Sequence, residues 1–351
     1  MVSLPPFTAS AMDGWAVCAA DTPAELSIVG ESAAGAPWPG RLVAGQALRI
    51  STGAPLPDGA DCVVPSEDAD ARMGRVRVGT ATLGAHVRAR GEVIEAGATL
   101  LAAGTVVATH AVAGLAATGH VSLSCVARPR VAVLATGSEL MPLGAPLPPG
   151  AIYDASRVGV SAQARWAGAQ VVASAVIEDD LRATVAAIRR LLGPPDTPAC
   201  DVLVTAGGIG HGVHDHVRGA LARAGVEEVV GGVALSPCRP TWLGRRGDQA
   251  VLGLPGNQVS AAVAMHIFGR PLLGVHDPWD RTAPLHEPYP RSGRAPAAIR
   301  CQMLGDSLRP LPGQGAHAVA DLARADALAI IPGGPGELSA GSRVTVLLLP
   351  G

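Results

Sequence analysis

The sequence contains no lysine: all 27 basic residues among its 351 are arginines. Without lysine there can be no lysine Schiff base, no P-loop lysine and no lysine phosphate clamp. Arginine, backbone N–H groups or a metal must therefore hold any bound anion. The formal net charge is only −2 and no long basic run is present, so we expect no nucleic-acid partner.

Paired cysteines, long apolar runs and aromatic residues are also scarce. The six cysteines are scattered without a C-x-x-C pair, which argues against a zinc site or a disulfide framework and favours a reduced, cytoplasmic setting. The start, MVSLPPFTAS, lacks the basic and apolar regions of a signal peptide. The sequence contains no uninterrupted apolar stretch of about 18 residues, so it predicts no membrane span. We therefore expect a cytoplasmic protein without a membrane partner.

The pattern of short segments predicts several domains, since a single core rarely grows beyond about 300 residues. Residues 6–97 run in short apolar segments divided by Gly, Pro and Asp, which predicts a small β domain. Residues 98–126, together with 1–5, mix Ala-rich periodicity with glycine breaks and predict a helical connector.

Residues 127–283 alternate β-type runs with helical stretches, which predicts βαβ units on a largely parallel sheet. The strands fall in VAVLATG, QVVASAVI, DVLVTAGG and AVLGLPG, and one helix runs from about Asp154 to Ala167. After about Pro284 the alternation stops, and short runs such as DALAIIP and SRVTVLLL predict a second small β domain over 284–351. The fold class is therefore a multi-domain α/β protein.

Three predicted strand-to-helix turns are rich in glycine: ATGSEL (135–140), TAGGIGHGVHD (205–215) and GLPGNQVS (253–260). In an open parallel sheet, ligands bind outside the carboxyl ends of the strands, where such turns collect. Glycine lets a ligand approach the backbone, and the next helix offers free N–H groups to an anion. A phosphate-bearing ligand is the expected guest. The G-x-G-x-x-G pattern and the P-loop are both absent, so a nicotinamide or nucleotide-hydrolase site fits poorly.

Carboxylates near these turns allow two interpretations. Glu139, Asp179, Asp180 and Asp215 could share Mg²⁺ with a bound phosphate. Asp179, Asp180 and Asp215 each precede a helical pattern, and spacing alone favours helix N-caps for them. His211, His214 and His216 are a weak metal signal without a second cluster, and turn histidines are the simpler interpretation.

Eight motifs in one order resemble the molybdopterin molybdenumtransferase family, the molybdenum insertases also called MoeA or the gephyrin E domain. They are PPFTASAMDGWAV, ISTGAPLPDGADCVV, RARGEVIEAG, LATGSEL, IYDASR, DVLVTAGGIGHGVHD, GLPGNQVSA and GQGAH. The resemblance implies a parallel-sheet molybdopterin-binding-like α/β domain flanked by a small β domain and a C-terminal β-barrel. It also implies a homodimer that uses the connector for dimerisation.

The implied reaction inserts molybdate into adenylylated molybdopterin with Mg²⁺ present and releases AMP. The implied partners are a molybdopterin adenylyltransferase and, at the next step, apo-molybdoenzymes. The resemblance carries catalytic roles onto Asp13, Thr52, Glu139, Asp179 and Asp215, with Mg²⁺ at Asp179, Asp215 and Glu139. The expected cofactor-binding residues are Thr136, Gly137, Gly207, Gly208, Arg239, Pro255, Gly256 and Asn257. The implied cleft would bring Asp13 and Thr52 of one subunit close to Glu139 and Asp215 of the other.

Several positions depart from the family pattern. Val93 stands where an aspartate is usual, Gly232 and Ser236 where lysines are usual, and Gln258 where a proline is usual, while Arg239 keeps a cation. The helical segment that usually precedes P-P-F is missing, which indicates either an upstream start or an altered connector. Protonated His211 and His214 could replace the lost lysine charge. A non-catalytic cofactor carrier of the same fold, or a nucleotide-using oxidoreductase, stays open at this point.

Overall fold

The computed structural model describes residues 2–210, 212–213, 215–275, 279–291 and 293–349. The chain divides into two compact units, Met1–Cys125 and Val126–Gly351. Each unit has hydrophobic clusters of its own, and among the described residues each cluster of buried side chains draws on one unit. The division falls inside the glycine-broken segment that the sequence predicts to be a connector.

The first unit is built on a six-stranded sheet of order β5-β2-β4-β3-β7-β6. Short apolar segments form its strands, and β2 (GWAV) is buried along its whole length, whereas β7 (RVRV) alternates exposed and buried residues. Only β3 and β4 pair in parallel within this sheet, and β1 pairs with β8 outside it. The elements are β1 Ala9–Ser10, β2 Gly14–Val17, β3 Ala24–Ser32, β4 Gln46–Ile50, β5 Cys62–Pro65, β6 Ala69–Arg72, β7 Arg75–Val78 and β8 Val87–Arg88, the 3₁₀ turns Ala19–Asp21 and Ser66–Asp68, and α1 Thr109–Ala117.

The second unit begins with a six-stranded sheet of order β12-β9-β13-β16-β15-β14. The first four strands in this order are parallel, and β15 and the edge strand β14 continue the sheet with antiparallel pairing. The elements are β9 Arg130–Thr136, β10 Leu140–Met141, β11 Ile152–Tyr153, α2 Ala155–Trp166, β12 Gln170–Ile177, α3 Leu181–Leu192, β13 Val202–Ala206, α4 Val217–Arg223, β14 Glu227–Val230, β15 Trp242–Arg246, β16 Gln249–Leu254, α5 Gln258–Ala264, the π-helical turn Met265–Gly269 and α6 Arg270–Leu272.

Helices cover both faces of this sheet. Alternate residues of β9 and β13 pack on the α2 and α5 side, and the others pack on the α3 and α4 side. A strand buried on both faces reads as one continuous apolar run, which is why VAVLAT and VLVTA were recognisable in the sequence. The carboxyl ends of β9, β13 and β16 therefore meet at one edge of the sheet.

The C-terminal part is a five-stranded antiparallel sheet of order β17-β23-β21-β19-β20, with β18 and β22 as a separate pair. Its edge strands approach each other through an isolated bridge between Leu285 and Leu308. The predicted β-barrel is therefore confirmed only as a partly closed sheet in the part of the chain that the structure describes. The elements are β17 Thr282–Pro284, β18 Tyr289–Pro290, β19 Ala297–Leu304, β20 Ser307–Pro310, α7 Val319–Leu322, β21 Ala327–Ile331, β22 Glu337–Leu338 and β23 Arg343–Leu348.

The predicted alternation of strands and helices over residues 127–283 is confirmed. The helix expected from about Asp154 to Ala167 is α2, and Asp154 caps it by accepting a hydrogen bond from the Arg157 backbone N–H. The sequence did not predict β14, β15 or β19. No helix among the described residues is long and apolar enough to cross a membrane.

Candidate active site

The three glycine-rich turns meet around one cavity of about 400 Å³ at the carboxyl ends of β9, β13 and β16. This volume lies within the range of small-molecule sites. Nearly all of the lining comes from the turns and from the segment that leads into α2. The lining residues are Ala135, Thr136, Gly137, Glu139, Leu140, Ile152, Tyr153, Ala155, Ser156, Asp179, Ala206, Gly207, Gly208, Asp215, Gly256, Asn257 and Gln258.

The turn after β13 can take its shape only with glycine. Gly207 has φ +91°, and a Cβ there would lie 2.6 Å from the Thr136 carbonyl oxygen. Gly208 has φ +61°, and its Cβ would lie 2.7 Å from the Thr136 hydroxyl. The turns after β9 and β13 thus pack backbone against backbone, which leaves their peptide groups accessible to a ligand.

The Thr136 hydroxyl is a buried polar atom without a hydrogen-bond partner among the described residues. Thr136 is only 7% exposed, and it lines the cavity at the last position of β9. A buried hydroxyl without a partner costs free energy that a hydrogen bond from a ligand can recover. The Thr136 hydroxyl can therefore still donate and accept a hydrogen bond.

Asp179 is tied to the turn after β9 by a reciprocal pair of hydrogen bonds. Its carboxylate accepts from the Ser138 backbone N–H at 3.1 Å, and its own backbone N–H donates to the Ser138 hydroxyl at 3.1 Å. Asp180, by contrast, is the N-cap of α3 and accepts from the Ala183 N–H at 2.7 Å. The sequence allowed each aspartate to be a helix cap or a site carboxylate. In the structure Asp180 caps a helix, and Asp179 lines the cavity, as Glu139 does.

Asp215 does not cap α4, so the N-cap interpretation of this residue is wrong. The N-cap position belongs to His216, whose side chain makes no capping hydrogen bond. The Asp215 carboxylate instead accepts from the Gly212 N–H at 2.6 Å, and a Cβ at Gly210 would lie 2.7 Å from the same carboxylate. The loop closes around this carboxylate at the cavity wall. His211 and His214 lie outside the described residues.

Asn257 and Gln258 bring amide side chains to the cavity from the start of α5. Asn257 occupies the N-cap position, but its side chain makes no capping hydrogen bond and is exposed at the cavity. Gln258 is the first residue of α5. Pro255 is buried directly before this turn and does not line the cavity, whereas Gly256 does.

The IYDASR segment contributes a side of the cavity that the sequence did not assign. Ile152 and Tyr153 belong to β11, which pairs in parallel with β10 just after the turn that follows β9. Ser156 donates from its hydroxyl to the Gly256 carbonyl at 3.3 Å. Asp154 is buried behind them and pairs with Arg157. In the sequence, IYDASR follows TGSEL after one short connecting segment, and this position could have indicated that it lies at the cavity.

No cationic side chain is among the described residues that line the cavity, whereas three carboxylates are. The predicted anion-binding Arg239 is exposed in the segment before β15 and lies outside the lining. Gly232 and Ser236, which stand where lysines are usual in the family, lie in the same segment and are also exposed. The role of Arg239 stays a prediction.

The donor set suits a hard cation that is shared with a ligand. Within the described residues, no three His, Cys, Asp or Glu side chains cluster closely enough to hold a metal by themselves. Mg²⁺ usually takes one or two protein carboxylates and completes its shell with waters and substrate phosphates. Glu139, Asp179 and Asp215 fit that pattern better than a cage made only of protein groups.

Asp13 and Thr52, the predicted site residues of the first unit, are hydrogen-bonded to each other. One Asp13 carboxylate oxygen accepts from the Thr52 backbone N–H at 2.7 Å and from the Thr52 hydroxyl at 3.1 Å. These two bonds, with a smaller contribution from Arg49, hold the pKa of the Asp13 carboxyl below its usual value. Both residues are exposed, as is Val93 in the same unit.

Three family models together match nearly the whole chain. The MoeA N-terminal region (domain I and II) matches residues 1–119, the probable molybdopterin binding domain matches 132–274, and the MoeA C-terminal region (domain IV) matches 282–349. Molybdopterin molybdenumtransferase 2 of Mycobacterium tuberculosis is 37% identical over 98% of this chain and 89% of its own length. The chain belongs to the molybdopterin molybdenumtransferase family.

Other members of the molybdopterin molybdenumtransferase family agree with this assignment. The Bacillus subtilis molybdopterin molybdenumtransferase is 30% identical over 99% of this chain and 84% of its own length. The crystal structure of the molybdopterin biosynthesis MoeA protein from Pyrococcus horikoshii matches with a TM-score of 0.84 at 29% identity, covering 100% of this chain and 89% of that one. The multi-domain MoeA-like fold, with an α/β domain that resembles molybdopterin-binding domains, is thus confirmed.

Proposed function

We propose that this protein acts in molybdenum cofactor biosynthesis by inserting molybdate into adenylylated molybdopterin, with release of AMP. The observation that carries the proposal is the composition of the cavity. Glycine turns, the unpartnered Thr136 hydroxyl and the carboxylates of Glu139, Asp179 and Asp215 line it together. Family membership supports the reaction, and the composition of the cavity supports assigning the reaction to this part of the chain.

The glycine turns and Thr136 would bind the pterin and its phosphate through backbone N–H groups and the hydroxyl. Such groups suit an anion in a cavity whose described lining has no cationic side chain. The amides of Asn257 and Gln258 add neutral donors at the start of α5. These residues bind and orient the substrate, and the carboxylates do not bind the anion directly.

One or two of the carboxylates of Glu139, Asp179 and Asp215 would hold Mg²⁺, which would supply positive charge next to the phosphates and polarise them. A carboxylate of this set that does not hold the ion would orient the attacking water through hydrogen bonds. The hydrogen bond from Gly212 to Asp215 and the pair between Asp179 and Ser138 fix two of these carboxylates before substrate arrives. Preorganised groups of this kind lower the reorganisation that the reaction requires.

Asp13 and Thr52 would act in the same reaction across a homodimer, as the family resemblance implies. Their contribution is an ionised carboxylate held in one position by two donors of Thr52. The partners that this chemistry requires are an enzyme that adenylylates molybdopterin and apo-molybdoenzymes that accept the product. A cytoplasmic location belongs to the same proposal.

The experiment supplies the purified protein with adenylylated molybdopterin, Mg²⁺ and molybdate. AMP release and reconstitution of an apo-molybdoenzyme are then measured in the same reactions. We expect AMP and cofactor activity to rise together and to need both Mg²⁺ and molybdate. Tight binding of the adenylylated pterin, with AMP no higher than in a protein-free reaction, would contradict the enzyme and indicate a carrier.

A further inference from the structure

A second depression of about 560 Å³ lies on the outer surface of α3 and α4, on the helical layer of the sheet. It is lined by Leu181, Arg182, Val185, Ala186, Arg189 and Arg223, which we call the arginine groove. None of these residues lines the cavity described above. The arginine groove is therefore a separate surface.

The helical period explains why this groove has an apolar floor and a cationic rim. Residues 182, 185, 186 and 189 follow the i, i+3, i+4, i+7 spacing that places side chains on one helix face. Leu181 and Val185 are half-buried and pack against the core beneath α3, while the arginines beside them are exposed. Arg189 donates to the Arg223 carbonyl at 2.7 Å, which ties the rim of α3 to the end of α4.

The positive charge of the groove is not neutralised within the described part of the chain. The salt bridges found there involve other arginines, and none includes Arg182, Arg189 or Arg223. Three guanidinium groups around an apolar floor repel one another and favour a ligand that carries carboxylates. Arginine also suits carboxylates because its planar fork can donate two hydrogen bonds to them.

We propose that the arginine groove binds an acidic segment of a partner protein that carries an apolar side chain between two carboxylates. Arg182 and Arg189 are seven residues apart on α3, which is about 10 Å along the helix axis. In an extended peptide, the side chains of residues i, i+2 and i+4 face the same side, and residues i and i+4 lie about 13 Å apart along the chain. The pattern Glu-x-Leu-x-Glu therefore places Leu over the floor and its carboxylates near the rim.

The probe is a fluorescein-labelled twelve-residue peptide with a central Glu-Ser-Leu-Ser-Glu, and fluorescence anisotropy measures its binding to the full-length protein. We expect saturable binding that weakens when salt is raised, because exposed ion pairs are screened. Exchanging both Glu for Gln, or Leu for Ser, is expected to weaken binding at least about fivefold. Equal binding of the three peptides would overturn the proposal.

Matched protein variants locate the binding. Arg182→Gln combined with Arg223→Gln removes two rim charges and is expected to weaken peptide binding about fivefold or more. Arg165→Gln combined with Arg190→Gln removes the same charge from exposed positions outside the groove and is expected to leave binding unchanged. An equal loss of peptide binding in both double variants would show a general charge effect and would overturn the proposal that the peptide binds in the groove.

Two further measurements test whether a second copy of this chain occupies the groove instead, and whether the groove is independent of the cavity. Sedimentation of Arg182→Gln/Arg223→Gln is expected to match that of the unchanged protein. A change in oligomeric state would place a second copy of this chain in the groove instead of a partner's acidic segment and would overturn the proposal. Binding of adenylylated molybdopterin to the same variant is expected to stay unchanged, since the arginines lie outside the cavity. Its loss would contradict the separation of the two surfaces.

Discussion

Asp179 and Ser138 exchange two hydrogen bonds, each 3.1 Å long, that join the segment after β12 to the turn after β9. Asp180, the next residue, uses its carboxylate to cap α3. Two adjacent aspartates thus have different partners. One is available to the cavity, and the other belongs to the helix.

This difference gives a matched pair of substitutions. Asp179→Asn is expected to lower the rate of AMP release about tenfold or more, because the variant loses a carboxylate charge that would hold Mg²⁺ beside the phosphates. Asp180→Asn is expected to change it less than about twofold, since asparagine caps a helix as well as aspartate does. Single-turnover AMP release from adenylylated molybdopterin measures both. Equal losses would mean that α3, and not the Asp179 carboxylate, matters to the site.

A second pair concerns buried hydroxyls. Thr136 and Thr205 both lie in the parallel sheet, and both have a buried hydroxyl without a partner among the described residues, but only Thr136 lines the cavity. Thr136→Val is expected to weaken binding of adenylylated molybdopterin about fivefold, the value of roughly one hydrogen bond. Thr205→Val is expected to leave binding unchanged.

Both valine variants are expected to keep or slightly raise the free energy of unfolding, by up to about 1 kcal/mol, because each removes an unsatisfied buried group. Calorimetric titration gives the affinity, and urea unfolding gives the stability. A loss of stability in Thr136→Val would show that its hydroxyl has a structural partner. Weaker ligand binding by that variant would then have a different explanation.

The lowered pKa of Asp13 predicts how its substitution depends on pH. The group stays ionised above its ordinary pKa of 3.8, so Asp13→Asn is expected to reduce AMP release by a constant factor between about pH 5 and 8. Thr52→Val removes one of the two donors and is expected to raise the Asp13 pKa part of the way back, whereas Thr52→Ser keeps it low. Carboxyl chemical shifts followed by NMR report this pKa. No difference between valine and serine would contradict the role of the hydroxyl.

The ion pair of Asp201 with Arg130 predicts a separate effect of pH on stability. Arg130 donates to Asp201 at 2.8 Å from its side chain and at 2.7 Å from its backbone N–H, and these bonds lower the Asp201 pKa against the opposing effect of burial. The stabilisation is fully present above the ordinary pKa of 3.8 and is lost as the pH falls through the lowered value.

Asp201→Asn is therefore expected to cost up to about 1 kcal/mol of unfolding free energy at pH 7, because the pair is half-exposed and screened. The cost should shrink in acid, where both proteins carry a neutral side chain at this position. Urea unfolding at several pH values measures it. AMP release is expected to stay unchanged, since Asp201 precedes β13 at the end of the strand opposite the cavity. A cost that does not depend on pH would contradict the ion-pair explanation.

The sequence predicted the cavity well because its signals are local. An apolar run buried on both faces, followed by glycines and a helical pattern, indicates the carboxyl end of a parallel strand wherever it occurs. The edge strand β14 and its neighbour β15 lacked that signal, since EEVV and WLGRR carry charges towards solvent. β19 was hidden by Arg300, a charged residue that is fully buried and donates to the Gly313 and Gly315 carbonyls.

The roles of individual carboxylates could not be predicted from spacing. Asp180 and Asp215 both stand just before a helix, but Asp180 accepts from the Ala183 N–H in the first turn of α3, whereas Asp215 accepts from Gly212 in the preceding loop. That difference depends on the path of the loop and not on the distance to the helix in sequence. The family resemblance implies that Arg239 binds the ligand; the fold leaves it exposed outside the described cavity lining, and its role stays a prediction.

The most direct test of the central claim is single-turnover AMP release by Asp215→Asn beside the unchanged protein, with adenylylated molybdopterin, Mg²⁺ and molybdate. Asparagine keeps an oxygen that can accept the hydrogen bond from Gly212, so the loop is expected to hold while the charge is lost. The account predicts that the variant still binds the adenylylated pterin but releases AMP at least about tenfold more slowly. AMP release at the unchanged rate would contradict the assignment of this cavity as the active site.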